Sequence, residues 1–301
     1  MALSSERITL PRGPGSLRQL VQCGSWIARL DASGSTWLVD TSAKKPAIHE
    51  VPTLTLGGEG NDANRAFTAE AGGFSADGKH FALLRAGAAG LRLPSIEVLD
   101  VATRTKVHGF ELKMKAPYNV QWHPDGERLY VSGNPETVVF SLKGKVLDRI
   151  GTDHGFELSP LGTQYLIKVS GSEWVVRPHD KPKFVKVEAN DITFADEETL
   201  VFSGWSQTDK TPLFKAPTKT GKAKKLLVLE QRPSSLVAFG SRALAVLAGD
   251  KKVFAQVIEL KNGRAQRKEL QGAPSGTAAS MGADAAYVQV NWSKTLHRLT
   301  F

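Results

Sequence analysis

The chain has 301 residues, of which 41% are hydrophobic and 23% are charged. This composition is typical of a globular protein and excludes a collagen-like, a coiled-coil or a fully disordered chain, each of which needs a much stronger bias. A single cysteine excludes an intrachain disulfide bond and a cluster of cysteine metal ligands. The formal net charge of +9 favours anionic partners.

The N-terminal sequence predicts no targeting segment. It lacks the basic start and the apolar run of roughly 7–15 residues that mark a signal peptide. No later segment approaches the roughly 18 consecutive apolar residues of a membrane span. Together with the unpaired cysteine, these features favour a cytoplasmic protein without a membrane span.

In chain order, the first strand-like segment is 6–10, and a repeated pattern follows it. Residues 73–84 consist of an apolar segment, the turn Asp77-Gly78 and a second apolar segment. Residues 120–131 repeat this pattern 48 positions later, with Asp125-Gly126 at the turn. An Asp-Gly pair supplies the positive φ that a tight turn between antiparallel strands needs, so each copy predicts a hairpin.

Weaker copies extend the repeat along the whole chain and bring the number to seven. In the best-defined copies two further apolar segments follow the hairpin, so each copy predicts one four-stranded antiparallel sheet. The spacing between copies is in the range of propeller and solenoid proteins. The copies are approximately 19–54, 72–112, 118–150, 155–187, 191–229, 235–270 and 277–301.

The two ends of the chain predict how the repeat closes. The seventh copy has room for three strands only, and segment 6–10 is a free strand ahead of the first copy. Pairing of this segment with the last copy would remove exposed sheet edges. The predicted fold is therefore all-β, a single seven-bladed β-propeller domain over 1–301 whose last blade is closed by the N-terminal strand.

The turn segments also carry a family resemblance. Residues 74–79, 122–127 and 158–162 resemble the Ser-Pro-Asp-Gly-Lys turn of bacterial β-propellers, and 98–103 is similar to the Trp-Asp end of a WD repeat with Leu99 in place of Trp. The chain thus resembles a divergent, WD-repeat-like bacterial propeller. The resemblance implies a rigid platform that most often binds proteins and occasionally acts as an enzyme; fold alone does not decide between the two.

No motif of catalytic, metal-binding or cofactor-binding type stands out. No two of the seven histidines lie two, three or four residues apart, and no nucleophile elbow, Walker loop or dinucleotide fingerprint occurs. Asp77 and Asp125 are predicted as structural turn residues. The acidic trio 196–198 falls at the equivalent turn of its copy and is predicted to be solvated, and Cys23 is predicted to be a buried, unreactive thiol.

The fifth copy contains the most distinctive candidate contact residues. Trp205 follows the second strand of this copy, in a predicted loop, and precedes a run of lysines from Lys210 to Lys225 that contains no acidic residue. The run is open to two interpretations, a solvated loop or an electrostatic docking strip. Long loops at 55–70 and 86–94 add candidates. The predicted partner-binding residues are Phe67, Arg92, Trp205, Lys210, Phe214, Lys215, Lys222, Lys224 and Lys225.

Three functions remain open at this point. The leading hypothesis is a non-enzymatic protein-interaction scaffold, a subunit of a larger complex that docks a partner with an acidic surface through loops and the lysine-rich segment. The first alternative is a propeller-type hydrolase or lactonase with a metal in the central channel, which a stoichiometric divalent ion would favour. The second alternative is a nucleic-acid-binding subunit, whose affinity would fall steeply with ionic strength.

Overall fold

The computed structural model describes residues 3–10, 17–31, 35–51, 68–86, 93–152, 155–179, 184–272, 277–290 and 295–301. Within these ranges the regular secondary structure consists of 28 β-strands, without a helix. The strands form seven four-stranded sheets, called blades 1 to 7 in the following description, and every neighbouring pair of strands within a blade is antiparallel.

The first three blades follow one another along the chain. Blade 1 contains β2 (Leu17–Cys23), β3 (Trp26–Asp31), β4 (Thr36–Asp40) and β5 (Ala47–Val51). Blade 2 contains β6 (Thr68–Phe74), β7 (His80–Ala86), β8 (Ser95–Asp100) and β9 (Lys106–Glu111). Blade 3 contains β10 (Asn119–Trp122), β11 (Arg128–Ser132), β12 (Glu136–Ser141) and β13 (Val146–Gly151).

The remaining blades use the second half of the chain and the N-terminal strand. Blade 4 contains β14 (Phe156–Leu158), β15 (Gln164–Ser170), β16 (Glu173–Pro178) and β17 (Val185–Glu188). Blade 5 contains β18 (Asp191–Phe194), β19 (Thr199–Ser203), β20 (Thr211–Pro217) and β21 (Lys224–Leu229). Blade 6 contains β22 (Ser235–Phe239), β23 (Arg242–Ala248), β24 (Val253–Glu259) and β25 (Ala265–Leu270). Blade 7 contains β26 (Thr277–Met281), β27 (Ala285–Val290), β28 (Thr295–Thr300) and β1 (Ser4–Thr9).

The N-terminal strand completes the seventh blade, as the sequence predicts. β1 pairs with β28 in a register that runs from Ser4 opposite Thr300 to Thr9 opposite Thr295. The predicted segment 6–10 is displaced by one or two residues at each end from the observed Ser4–Thr9. The predicted fold class, an all-β seven-bladed propeller of four-stranded blades, is confirmed.

The chain groups into two compact units, each described by itself. One unit is 15–154 and contains blades 1 to 3, and the other consists of 1–14 and 155–301 and contains blades 4 to 7. The single-domain organisation over 1–301 stays a prediction.

Within each unit the blades are held together by apolar side chains on both faces of their middle strands. All five residues of 243–247, in β23, are at most 1% exposed, because this strand is covered on both faces. This explains why the middle strands read as continuous apolar runs rather than as alternating patterns. Trp122 is also buried and donates from its ring nitrogen to the Gly73 carbonyl at 2.8 Å, so it belongs to the core.

The Asp-Gly turns have the predicted conformation. Gly78 and Gly126 have φ values of 69° and 74°, in the left-handed region that a side chain disfavours. The Asp77 carboxylate accepts hydrogen bonds from Ser75 Oγ at 2.7 Å and from the Lys79 amide at 3.1 Å. The Ser75 bond contributes most to lowering the pKa of Asp77. Asp77 therefore acts as a turn residue, as predicted.

Three local predictions need correction. The loop predicted over 55–70 overlaps β6, which already begins at Thr68, while 52–67 lie outside the described residues. Cys23 is half-buried rather than buried; burial raises the pKa of its thiol, and the nearby Asp77 adds to this effect. Apart from Lys210, which precedes β20, the lysine run predicted as a loop lies on β20, β21 and the turn between them.

Glu197 is the fourth correction, because it is not a solvated turn residue. Its carboxylate reaches blade 4, where it accepts hydrogen bonds from Ser159 Oγ and from the Leu161 amide, both at 2.8 Å, and from the Thr163 hydroxyl. Burial opposes ionisation, but these hydrogen bonds outweigh it and lower the pKa of Glu197. Glu197 thus fastens blade 5 to blade 4.

Candidate partner-binding surfaces of blade 5

Trp205 lies in the loop between β19 and β20, where the sequence predicts a connecting loop. The residue is 73% exposed, more than any other large hydrophobic residue among those described. A tryptophan packed against its own blade would be mostly buried, so this exposure argues against such an arrangement. The loop therefore presents a large aromatic side chain to solvent.

The base of this loop is firmly held. The Gly204 amide donates to the Pro212 carbonyl at 2.8 Å, and the Gly204 carbonyl accepts a hydrogen bond from Asn190 Nδ2 at 3.0 Å. Glycine is required here because a Cβ atom at position 204 would lie 2.7 Å from Cε2 of the Phe214 ring. One backbone–backbone hydrogen bond and one hydrogen bond from the Asn190 side chain thus fix the residue that precedes Trp205.

A groove of about 410 Å³ lies between β17 of blade 4 and β20 of blade 5, and Trp205 is on its rim. We call it the Trp205 groove. Phe202 and Phe214 stack in its wall, with ring centroids 5.4 Å apart and ring planes 19° apart. Phe214 is half-buried in this wall and packs against the core cluster that blades 4 and 5 share. The other lining residues are Ser172, Lys186, Val187, Glu188, Ala189, Gly204, Pro212, Gly221 and Ala223.

The strand register divides the lysine run between two flanks of blade 5. Lys225 is paired with Phe214, and Lys224 is paired with Lys215. Because cross-strand partners point to the same face, Lys225 lies on the flank of the Trp205 groove, whereas Lys215 and Lys224 lie on the flank that faces blade 6. On that flank, Lys215 Nζ donates to the Leu260 carbonyl of blade 6 at 2.6 Å.

The blade 6 flank carries a second cavity, of about 480 Å³, at the turn between β20 and β21. We call it the lysine cup. Lys219 in its wall forms an ion pair with Glu198 at 3.2 Å. Because β20 has seven residues, the cup and the Trp205 loop are at opposite ends of a strand roughly 20 Å long. The lining residues are Glu198, Thr199, Lys215, Ala216, Pro217, Lys219, Thr220, Lys222 and Lys224.

The nine predicted contact residues therefore do not form one surface. Trp205 and Phe214 line the Trp205 groove and Lys225 is on its flank, whereas Lys215, Lys222 and Lys224 line the lysine cup. Lys210 is exposed at the end of the Trp205 loop and lines neither cavity. Phe67 and Arg92 lie outside the described residues. Lys219 also lines the lysine cup, although it is not one of the nine predicted contact residues.

Other chemistry in the described part of the chain is sparse. Among the described residues, no three His, Cys, Asp or Glu side chains lie close enough together to hold a metal ion. The Nδ1 atom of His123 lies 2.9 Å from Oδ2 of Asp125, within the turn of blade 3. The described residues also include no helix long and apolar enough to cross a membrane.

Of the comparisons with known proteins, the one with solved structures supports the class of fold. The arrangement of blades defines a seven-bladed β-propeller. A solved structure with this likeness is the β-propeller domain of Cps50 (Swd1) from Myceliophteria thermophila, with a TM-score of 0.67 over 99% of this chain and 100% of that one. The two sequences are 9% identical, so the likeness concerns the fold alone. No family model and no curated protein matches the chain.

Proposed function

We propose that the protein is a non-enzymatic docking platform, a subunit of a larger assembly that holds a protein partner at the Trp205 groove. The observation that carries this proposal is the exposure of Trp205, 73%, on a loop whose base is fixed at Gly204. Trp205 also lines a groove whose wall contains Phe202 and Phe214, so its exposed ring belongs to a larger, partly apolar surface of the kind that marks an interaction site.

Tryptophan at such a position has the properties of an interaction hot spot. Trp, Tyr and Arg contribute most of the binding energy in protein interfaces when they are enclosed by a partner. The hydrogen bonds at Gly204 hold the base of the loop before binding, so less conformational entropy is lost there when the partner docks.

The lining of the groove defines the chemistry of the partner. Its wall contains Phe202, Pro212 and Phe214, which favour an inserted apolar side chain. Lys225 is exposed on the same flank, and Lys210 is exposed at the end of the Trp205 loop. A partner that presents an apolar side chain flanked by carboxylates matches this surface, and the net charge of +9 would accelerate its approach.

The proposal is tested with the variant Trp205→Ala. The protein is purified by affinity at native expression and its partners are identified by mass spectrometry; the affinity for the stoichiometric partner is then measured. We expect Trp205→Ala to weaken binding by about 2 kcal/mol or more, the loss that defines a hot spot. Folding stability should change by less than about 0.5 kcal/mol, because the side chain is mostly in solvent.

Phe239→Ala is the matched control. Phe239 is another exposed aromatic residue, at 47% exposure, and is the last residue of β22 in blade 6. Its loss should leave the partner bound. Retention of every stoichiometric partner by Trp205→Ala would contradict the proposal, and a partner-free protein that carries a stoichiometric divalent ion would favour the hydrolase alternative instead.

A further inference from the structure

We propose that the lysine cup is a binding site for a compact anion that carries two or more phosphate groups. No residue that lines the cup also lines the Trp205 groove, so this site does not depend on the proposed docking function.

The first argument is charge. Four lysines line the cup, Lys215, Lys219, Lys222 and Lys224, against the single carboxylate of Glu198, so four positive charges less one negative charge leave three. Within the described residues, Lys222 and Lys224 form no ion pair, and the contact of Lys215 is with a neutral carbonyl. Like charges gathered in one concavity repel one another, and a multivalent anion would turn this repulsion into attraction.

The second argument is preorganisation. Lys215 is half-buried, and the hydrogen bond of its Nζ to Leu260 O at 2.6 Å fixes the ammonium group at the wall of the cup. An ammonium group carries three donors, so two remain for a ligand. The site therefore contains one ammonium group that is already in place, in contrast to a set of freely moving surface lysines.

The turn that carries Lys219 and Lys222 is equally well anchored. The Thr218 amide donates to the Glu198 carbonyl at 2.9 Å, and the Gly221 amide donates to the Pro217 carbonyl at 2.8 Å. Gly221 has a φ of 62° and lies against Val185, where a Cβ atom would be 2.5 Å from Cγ1 of that side chain. The backbone that presents the two lysines is thereby held on both of its sides.

The third argument is the shape and chemistry of the lining. A volume of about 480 Å³ is large enough to hold an anion of the size of pyrophosphate. Lysine acts as a point charge that suits phosphate, and Thr199 and Thr220 add hydroxyl groups. The described residues that line the cup include no aromatic ring, on which a single-stranded nucleic acid would stack its bases. These features favour a compact polyphosphate over a nucleic acid.

The site is tested by isothermal titration calorimetry of the full chain with pyrophosphate, and with orthophosphate and sulfate as simpler anions. We expect pyrophosphate to bind more tightly than either simple anion, and the double variant Lys222→Gln/Lys224→Gln to weaken its binding by at least about tenfold. Thermal unfolding of the variant should be unchanged, because both side chains are exposed.

Lys143→Gln/Lys145→Gln is the matched control. These two lysines are also exposed, also two residues apart, and lie at the corresponding turn of blade 3, between β12 and β13. The control removes the same charge and should leave pyrophosphate affinity within about twofold of the original, a difference well below the effect of one charged hydrogen bond.

Three results would overturn the site. They are an equal loss of affinity in the two double variants, equal affinity for sulfate and pyrophosphate, and tight binding of a single-stranded oligonucleotide without binding of pyrophosphate. The variant Trp205→Ala separates this inference from the proposed function, because it should bind pyrophosphate with unchanged affinity even if it loses its protein partner.

Discussion

Glu157 in β14 of blade 4 is held by two hydrogen bonds from blade 5. Its Oε1 atom accepts from Thr193 Oγ1 at 2.8 Å and from the Phe194 amide at 3.0 Å. Burial of the carboxyl group opposes ionisation more strongly than these donors favour it, and it raises the pKa of Glu157 to about 7. The carboxyl group therefore titrates near neutral pH in the folded protein, but near its ordinary value when the chain is unfolded.

This difference predicts a pH dependence of stability. Below the unfolded pKa both states are protonated and the protein has its full stability; as the pH rises towards 7, ionisation favours the unfolded state. Glu157→Gln keeps an oxygen acceptor and cannot ionise. At pH 4 we expect the variant and the original protein to be about equally stable. At pH 8 the free energy of unfolding of the variant should be about 2 kcal/mol higher than that of the original.

Urea unfolding at the two pH values measures the effect. The control is Glu127→Gln, which removes an exposed carboxylate at the turn of blade 3 and should leave the pH profile unchanged. A parallel shift of both variants at pH 8 would show that net charge, and not burial of Glu157, determines the dependence.

Side chains whose partners are close in sequence were predictable, whereas those whose partners lie in another blade were not. Asp77 was predictable because its partners, Ser75 and Lys79, are two residues away on either side. Glu157 and Glu197 were missed because their partners lie in the neighbouring blade, 33 to 38 residues distant. This separation along the sequence is close to the length of one repeat. Alignment of successive copies would therefore have placed each glutamate beside its hydrogen-bond partners.

At the scale of the element, β20 explains why the lysine run is divided between two surfaces. A run of lysines in a loop predicts one surface, but a strand sends successive side chains to opposite faces. Phe214 therefore joins the Trp205 groove, and its neighbour Lys215 joins the lysine cup. The alternation is readable from sequence once the segment is assigned to a strand, but the half-buried position of Lys215 depends on blade 6 and is not.

The turn after β20 gives a prediction about stability. Gly221→Ala should destabilise the protein for two reasons, a φ of 62° and a Cβ atom placed 2.5 Å from Val185 Cγ1. The left-handed backbone should lower the free energy of unfolding by about 1 kcal/mol. The clash with Val185 should lower it by about 1–3 kcal/mol more, the usual effect of overpacking.

Gly240→Ala separates the two contributions. Gly240 has a φ of 57° but no atom within 4 Å of an added Cβ, so only the backbone contribution applies. The midpoint of thermal unfolding should therefore decrease more for Gly221→Ala than for Gly240→Ala. Equal decreases would mean that Val185 can move aside without a loss of stability.

At the scale of the whole molecule, the number of blades and the place of β1 followed from the sequence, because the repeat has seven copies and the last one lacks a strand. The two surfaces of blade 5 did not, since they depend on which residues of separate strands meet across blades. The function cannot be derived from the fold, because a protein of only 9% sequence identity has the same fold.

The position of β1 predicts the effect of a truncation. Removal of residues 1–9 takes away six pairs with β28 and the buried Ile8, and leaves β28 as an unpaired edge. We expect a lower midpoint of thermal unfolding and concentration-dependent self-association, because an open strand edge pairs with other chains. Light scattering during a thermal melt detects both.

Removal of residues 1–2 is the control, since it leaves β1 intact. It should melt and scatter as the full chain does. A truncation of 1–9 that remains monomeric with an unchanged midpoint would mean that β1 contributes nothing to blade 7.

The pairing of Ser4 with Thr300 has one more consequence. Cα atoms of paired residues in neighbouring antiparallel strands are about 5 Å apart, so dyes attached near the two positions exchange excitation energy almost completely while blade 7 is intact. The transfer is lost as soon as β1 detaches, even if every other strand remains in place. Energy transfer between dyes at these positions therefore reports directly whether β1 is paired with β28.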